Sequence, residues 1–265
     1  MSLGDLTGTA RDIWRKHGAV GVMGAGVDFV SRPVLQPLAV AVLRRRIASV
    51  QSLPELVDLA LDFRFLNVHV SAMQVRQEII ALAEEVRALR PQTVLEIGTA
   101  KGGTLLLFSR LSAPTAHLVS VDLPFGKFGG GYPPYKTGLY RSFAVAGQRL
   151  SLIRSDSHDP KTVEQVRSLL NGRTVDFLFI DGDHSLRGVT EDFQHYSQFV
   201  TDGGRIAFHD IVPGPADAVG GVPEFWNQLK KDPGINAEKA ELVNDWGQGG
   251  LGIGLLRNFR SQSSG

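Results

Sequence analysis

The chain has 265 residues, is 43% hydrophobic and carries a net charge of only +1. That length suits one large domain, or one domain with an extension, and can bury a substantial core. The near-neutral balance gives no support for a nucleic-acid partner. With no cysteine, disulfides, thiolate nucleophiles and thiolate metal sites are excluded, which fits a reducing, cytoplasmic compartment.

The opening MSLGDLTGTARD lacks a basic start followed by an apolar core, so no signal peptide is expected. The apolar stretch 19–43 is interrupted by Asp28, Arg32, Pro33 and Pro37 and is too broken for a spanning helix. Residues 1–50 hold seven Lys/Arg against three Asp/Glu, with Arg44–Arg46 directly after PLAVAVL. They read as an N-terminal helical arm that packs on the core or on a second subunit, rather than as a membrane-surface contact.

Pro54–Phe65 reads as a helix, with Ser52 as N-cap and Pro54 in the first turn. In 73–89, Val75, Ile79, Leu82, Val86 and Leu89 recur at helical spacing, and Pro91 ends the helix. Gln74 and Glu78 share one face of it, read as solvated or as lining a cleft. The apolar strand Thr93–Ile97 then runs into a glycine-rich turn, Gly98–Gly103, and a helix from Thr104 to Leu111.

A second strand, His117–Val121, ends in Asp122. The stretch 124–141, PFGKFGGGYPPYKTGLYR, is too long for a simple connection and reads as a functional lid or a disordered insert. A short helix is expected at Phe143–Gln148, a third strand at Leu150–Arg154, the turn SDSHDP, and a helix at Lys161–Leu170. The strand Val175–Ile180 runs into Asp181-Gly182-Asp183-His184, followed by a helix at Gly188–Phe199. A fifth strand, Arg205–Phe208, ends in His209-Asp210. A loop at Pro213–Val222, a helix at Pro223–Lys230 and a strand pair, Glu241–Asn244 with Leu251–Leu256, follow. The tail from Arg257 reads as frayed.

The alternation predicts an α/β fold, a doubly wound, mostly parallel seven-stranded sheet with helices on both faces and an antiparallel last strand. The division expected is an arm at 1–50, a ligand-binding domain at 51–258 and a flexible tail at 259–265. In such sheets ligands bind beyond the C-terminal strand ends. Those ends carry Glu96/Gly98, Asp122, Asp156/Ser157/His158, Asp181/His184 and His209/Asp210, which points to one lined site.

The turn is G-x-x-x-G-G, neither the dinucleotide fingerprint nor a P-loop, because Thr104 follows Gly103 with no lysine between. A ligand without phosphates fits it better. Asp122 is placed to accept ribose hydroxyls, and Asp156, Ser157 and His158 to meet an adenine ring. Asp181 and Asp210, on adjacent strand ends, can face one divalent cation such as Mg²⁺, with His209 as a further ligand shifting the preference toward Mn²⁺. His184 is placed to take a proton from a hydroxyl.

These segments, VLEIGTAKGGT (94–104), VSVDLP (119–124), SDSHDP (155–160), DFLFIDGDHS (176–185) and GGRIAFHDIVPG (203–214), resemble class I S-adenosylmethionine-dependent methyltransferases. The narrower likeness is to the group with cephalosporin-hydroxylase-like proteins and macrolide-sugar O-methyltransferases, over roughly residues 70–257. The resemblance implies S-adenosylmethionine as cofactor, with Glu96, Gly98 and Gly102 around its methionine part, Asp122 at the ribose, and Ser157 and His158 bordering the adenine. Thr99, Thr104 and Asp156 complete the cofactor set. It also implies an Asp181-x-x-His184 catalytic pair and a metal set of Asp181, His209 and Asp210, although His209 stands where this group usually has an acid. The expected acceptor is a hydroxyl of a small sugar or natural-product molecule, in a pocket shaped by Tyr132, Tyr135, Lys136, Tyr140, Arg141, Trp226 and Trp246. Two alternatives stay open: a metal-dependent hydroxylase using His184, His209 and Asp181 as an iron triad, and a non-catalytic S-adenosylmethionine-binding protein.

Overall fold

The computed structural model describes residues 35–126, 128 and 131–260. Residues 35–49 form helix α1, whose Ala39 and Leu43 are buried. The arm before residue 35, the tail after 260, and Lys127, Gly129 and Gly130 lie outside the described residues. After α1 come α2 (Leu53–Leu61), β1 (Phe63–Phe65), β2 (Val68–Val70), α3 (Arg76–Leu89), β3 (Thr93–Ile97), α4 (Gly103–Leu111) and β4 (His117–Val121). A 3₁₀ turn at Pro134–Lys136 leads to α5 (Thr137–Arg141), β5 (Arg149–Ile153), α6 (Pro160–Leu170), β6 (Val175–Ile180) and α7 (Leu186–Ser197). β7 (Val200–His209), α8 (Val222–Lys231), β8 (Asn236–Leu242) and β9 (Ile253–Arg260) complete the order. No helix among the described residues is long and apolar enough to cross a membrane.

The sheet has seven strands in the order β5-β4-β3-β6-β7-β9-β8. The first five are parallel, and β9 runs antiparallel between β7 and β8. Every residue of β3 and β4 is buried, as strands covered on both faces require. Alternate side chains go to opposite faces. Val94, Leu118, Phe177 and Ala207 join α2, α3 and α4 in one core, with Leu43 of α1. Leu95, Val119, Leu178 and Ile206 join α6, α7 and α8 in the other. Strand order reverses beside β3, so the crevice between the ends of β3 and β6 is the switch point.

Helix starts follow capping chemistry. Ser52 accepts from the Glu55 amide with Pro54 in the first turn, Asp159 accepts from Lys161, and Ser185 from Gly188. Several expected bounds differ. The helix expected to reach Phe65 stops at Leu61, because Phe63–Phe65 and Val68–Val70 pair as a two-stranded ribbon turning at Leu66. The ribbon's exit is pinned under the glycine turn, where the Gly103 amide donates to the Ser71 carbonyl and Ala72 to that of Ala60. Gly103 has no room for a side chain there. Phe143–Gln148 is turn rather than helix, and the segment before it supplies α5. The tail is not frayed through 260: β9 extends to Arg260, and Phe259 is buried against the second core.

Glu78 is the largest departure from expectation. It is buried rather than solvated, with 1% of its surface exposed. Oε1 accepts from the Asn244 amide (2.8 Å) and the Gln248 side chain (2.9 Å), and Oε2 from the Gly252 amide (3.0 Å). One carboxylate of α3 thus holds the whole β8–β9 connection. Glu78→Ala leaves the buried Gly252 amide without an acceptor, at a cost of about 1–3 kcal/mol, and removes the partly buried bonds from Asn244 and Gln248 as well. The expected outcome is a fall of roughly 5–10 °C in the thermal midpoint, with a smaller fall for Glu78→Gln, checked by calorimetric melting.

Candidate active site

Register fixes the site. Ile97 pairs with both Val121 and Ile180, and Ile180 with Phe208. The next residues, Gly98, Asp122, Asp181 and His209, are therefore neighbours along one edge. Gly98 has φ +92°, and a Cβ there would lie 1.9 Å from the Asp181 carbonyl oxygen, so only glycine fits.

Two cavities meet at this edge. The first, about 310 Å³, is lined by Gly98, Asp122, Leu123, Asp156, Ser157 and His158, among others. The second, about 290 Å³, is lined by Ser71, Gln74, Thr99, Thr104, His184 and Asp210, among others. Gly98, Ala100, Phe128 and Asp181 belong to both.

The Asp122 carboxylate organises the glycine turn. Its Oδ1 accepts from the Thr99 (3.0 Å) and Ala100 (3.1 Å) amides, and its Oδ2 from the Tyr132 amide (2.7 Å). Glu96 lies beneath the turn, fully buried, and lines neither cavity. Its Oε1 accepts from the Thr104 hydroxyl (2.6 Å), while Oε2 has no partner. Burial pushes its carboxyl up to about 8 against the hydrogen bond from Thr104, with the Asp122 charge adding to the rise. Thr99 and Ser120 pair through their hydroxyls beside it. Gly102 also lines neither cavity: it caps α4 at φ +81°, and a Cβ would press on the Tyr140 ring. Glu96 and Gly102 therefore support the cradle from below rather than wall it.

His158 stands at the far side of the first cavity. Its Nε2 faces the Gly188 carbonyl (3.2 Å) and Asp192 Oδ1 (3.3 Å), and its Nδ1 faces Asp156 Oδ1 (3.4 Å). The bond to Asp192 raises the imidazole to about 9 despite partial burial.

At the second cavity an acid–imidazole cluster sits on the ends of β6 and β7. His184 stacks on Phe128 at 4.8 Å. Its Nδ1 faces the Ala218 carbonyl (2.6 Å) and Asp210 Oδ2 (3.1 Å), and its Nε2 faces Asp181 Oδ1 (3.3 Å). A proton on Nδ1 directed at Ala218 leaves Nε2 turned to the Asp181 side. Burial disfavours the imidazolium, but the bond and charge of Asp181, then the Ala218 carbonyl and the Asp210 charge, raise His184 to about 9. Asp181 is held well below the usual carboxylate range: burial opposes this, but the His209 charge and the His184 bond outweigh it. Burial raises Asp210. That residue has φ +64°, in the left-handed region, and its Oδ1 accepts from the Leu251 amide (3.2 Å).

Ligand atoms of Asp181, His184 and Asp210 all lie within 4.8 Å of one another. Two carboxylates and an imidazole at that spacing suit a hard or borderline divalent cation. His209 is outside this set. Its Nδ1 turns to Asp181 (3.1 Å), and its Nε2 is buried without a partner. The convergent set is thus two carboxylates with one imidazole, not the two imidazoles and one carboxylate of an iron triad.

The expected acceptor-pocket residues are divided. Tyr132 and Tyr140 are core, packed ring to ring at 4.7 Å. Trp226 is core too, and donates from Nε1 to Glu241 (2.8 Å). None of these, nor Tyr135, Lys136, Arg141 or Trp246, lines either cavity. Ser71, Met73, Phe128, Asp217, Ala218 and Leu251 do line them and were not singled out from the sequence. The lid composition signals Phe128 and the glycine–proline loop at 213–222 signals Asp217 and Ala218, while Ser71, Met73 and Leu251 fall in neither stretch.

Residues 95–211 match the family model described as a methyltransferase domain. A curated relative, an uncharacterized protein of Acanthamoeba polyphaga mimivirus, is 34% identical over 118 residues, 44% of this chain and 51% of the relative. The chain therefore spans about half the length of that relative. Among solved structures, a cofactor-bound protein from MTB is similar with TM-score 0.53 and 21% identity, covering 81% of this chain and 89% of that one. An O-methyltransferase from Bacillus cereus in complex with SAH is similar with TM-score 0.52 and 17% identity, covering 88% and 97%. At these identities the likeness is one of fold. The matched span runs from β3 to just beyond β7 and contains the glycine turn, Asp122, His158 and the acid–imidazole cluster. The match of residues 95–211 to a methyltransferase-domain model and the likeness to solved structures give this chain the class I methyltransferase fold.

Proposed function

We propose that the protein transfers a methyl group from S-adenosylmethionine to a hydroxyl of a small sugar-like or natural-product acceptor. The observation that carries this reading is the meeting of two cavities at Gly98 and Asp181, one fit for an adenosyl ligand and one bearing an acid–imidazole cluster. The first cavity has Asp122 at one side and Asp156, Ser157 and His158 at the other, with no lysine of the P-loop kind. That suits a nucleoside without phosphates. Ser71, Gln74, Thr99 and Thr104 then stand where the amino-acid part of the cofactor would lie.

In this reading the neutral form of His184, populated above about pH 9, takes the acceptor's proton on Nε2, while the Ala218 carbonyl orients the ring through Nδ1 and the Asp181 charge stabilises the imidazolium that forms. Asp181 and Asp210 would hold a divalent cation, Mg²⁺ first, which when bound lowers the hydroxyl's pKa. Phe128 borders both cavities, and Leu123, Gly126 and Gly131 of the loop after β4 border the first. A second subunit contact through the arm at 1–50, and action on no nucleic acid, belong to the same proposal. A binding protein without catalysis would leave the clustered Asp181, His184 and Asp210 without a role.

Titration calorimetry with S-adenosylhomocysteine is expected to give one site per chain, and Asp122→Asn to weaken it at least tenfold, about 1.4 kcal/mol. Absence of binding by the wild type sinks the cofactor assignment. With labelled S-adenosylmethionine and a panel of hydroxyl acceptors, His184→Ala and Asp181→Asn are each expected to lower turnover by roughly 10²-fold or more. Near-wild-type turnover in both would show that the proton goes elsewhere. A chelator is expected to suppress the same turnover and added Mg²⁺ to restore it; turnover unaffected by chelation removes the cation from the reading.

A further inference from the structure

Asp192 is a buried acid on α7 that the reaction does not use. It is 0% exposed, and neither carboxylate oxygen receives a backbone amide or a hydroxyl. Burying a carboxylate is costly unless it is paired. The cation facing it is the imidazole of His158, with Nε2 3.3 Å from Oδ1. The other oxygen lies against the turn after β6, 3.1 Å from where a Cβ on Gly182 would stand. The absence of a side chain at Gly182 thus lets this acid sit directly behind the first cavity's wall.

The pairing extends into the cavity. His158 Nδ1 faces Asp156 Oδ1 at 3.4 Å, and the His158 amide donates to the same oxygen at 2.9 Å. Asp156 and His158 both line the cavity. Asp156 is about half exposed there, whereas Asp192 is wholly enclosed. The imidazole therefore bridges a fixed internal carboxylate and a mobile external one. Tyr196, four residues along α7 from Asp192, donates its hydroxyl to the Ser157 carbonyl at 2.7 Å, so the same helix face anchors the whole turn.

We propose that Asp192 is a positioning residue that fixes His158, and through it Asp156, as the base-reading wall of the adenosyl cavity. An aligned Asp156 carboxylate accepts from an exocyclic amine, as adenine has, and meets a carbonyl edge, as hypoxanthine has, with an unfavourable acceptor–acceptor contact. Asp192 would thus set which nucleobase the site accepts without touching it. The inference rests on the cofactor reading above.

The test is calorimetry on the full chain with S-adenosylhomocysteine and S-inosylhomocysteine, which differ at that amine and in the hydrogen on the neighbouring ring nitrogen. The wild type is expected to prefer the adenosyl compound by at least tenfold. Asp192→Asn and His158→Gln are each expected to reduce that ratio below about threefold, while affinity for the inosyl compound stays within about threefold of wild type. Simple loosening of the fold would weaken both compounds in parallel, and parallel weakening overturns the proposal. Unchanged discrimination in both variants also overturns it and leaves the cofactor reading standing. A wild type that binds neither compound overturns both. Asp192→Asn removes the buried charge that His158→Gln leaves unpaired, so the two variants load the fold differently and each keeps the test decisive where the other does not fold.

Discussion

The site depends on one close approach of backbone to backbone. β3 and β6 lie side by side, and the residue after β3 must turn over the residue after β6. The Gly98 amide donates to the Val121 carbonyl and the Asp181 amide to Ile97, both at 2.8 Å. A methyl group on residue 98 would occupy the Asp181 carbonyl's own volume. Because nothing intervenes, the adenosyl-type cavity and the acid–imidazole cluster share a wall one glycine thick. Reactions governed by the alignment of two partners need that kind of fixed, short separation. The parallel ladder supplies it without any side chain having to be held in place.

A second constraint comes from outside the matched span. The β8–β9 connection carries Leu251, whose amide meets Asp210 and whose side lines the second cavity. Leu251 has φ +64°, unusual for a branched residue, and Asp210 the same angle. Such conformations persist only where the surroundings over-determine them. Glu78 does so from α3 by accepting from Gly252, the next residue, as well as from Asn244 and Gln248. The segment 95–211 therefore holds the chemical groups, but their geometry is completed by a helix before it and a strand pair after it.

Strand bodies and strand ends were legible in the sequence, for a physical reason. A strand covered on both faces is apolar along most of its length, so the glycine or acid that ends the apolar run marks where it leaves the sheet. Thr93–Ile97 then Gly98, and Val175–Ile180 then Asp181, show this directly, and they place Asp122, Asp181 and His184 at one edge. What stayed hidden were roles set by distant partners. Glu78 sits at a helical position like any solvated glutamate, and its donors lie more than 160 residues away. Glu96 is as close to the turn as a cavity residue would be, and only the pleat decides that it points beneath. Tyr132 and Tyr140 lie in a lid-like composition yet pack as core, because the loop folds back on its own aromatic rings. The ribbon at 63–70 has strands of three residues, too short for any period to show.

Counting acceptors at Asp122 shows how the cradle and its cover are linked. A carboxylate offers about four lone-pair directions. Thr99 and Ala100 take two on Oδ1, and Tyr132 takes one on Oδ2. One position remains, so a single further donor can be received with the turn undisturbed. A second can bond only where the Tyr132 amide gives way. That amide follows Gly131, where φ is +59° and a Cβ would lie 2.2 Å from the Leu123 carbonyl, so the chain passes there under tight restraint. The same carboxylate thus holds the floor of the cavity through Thr99 and Ala100 and its cover through Tyr132.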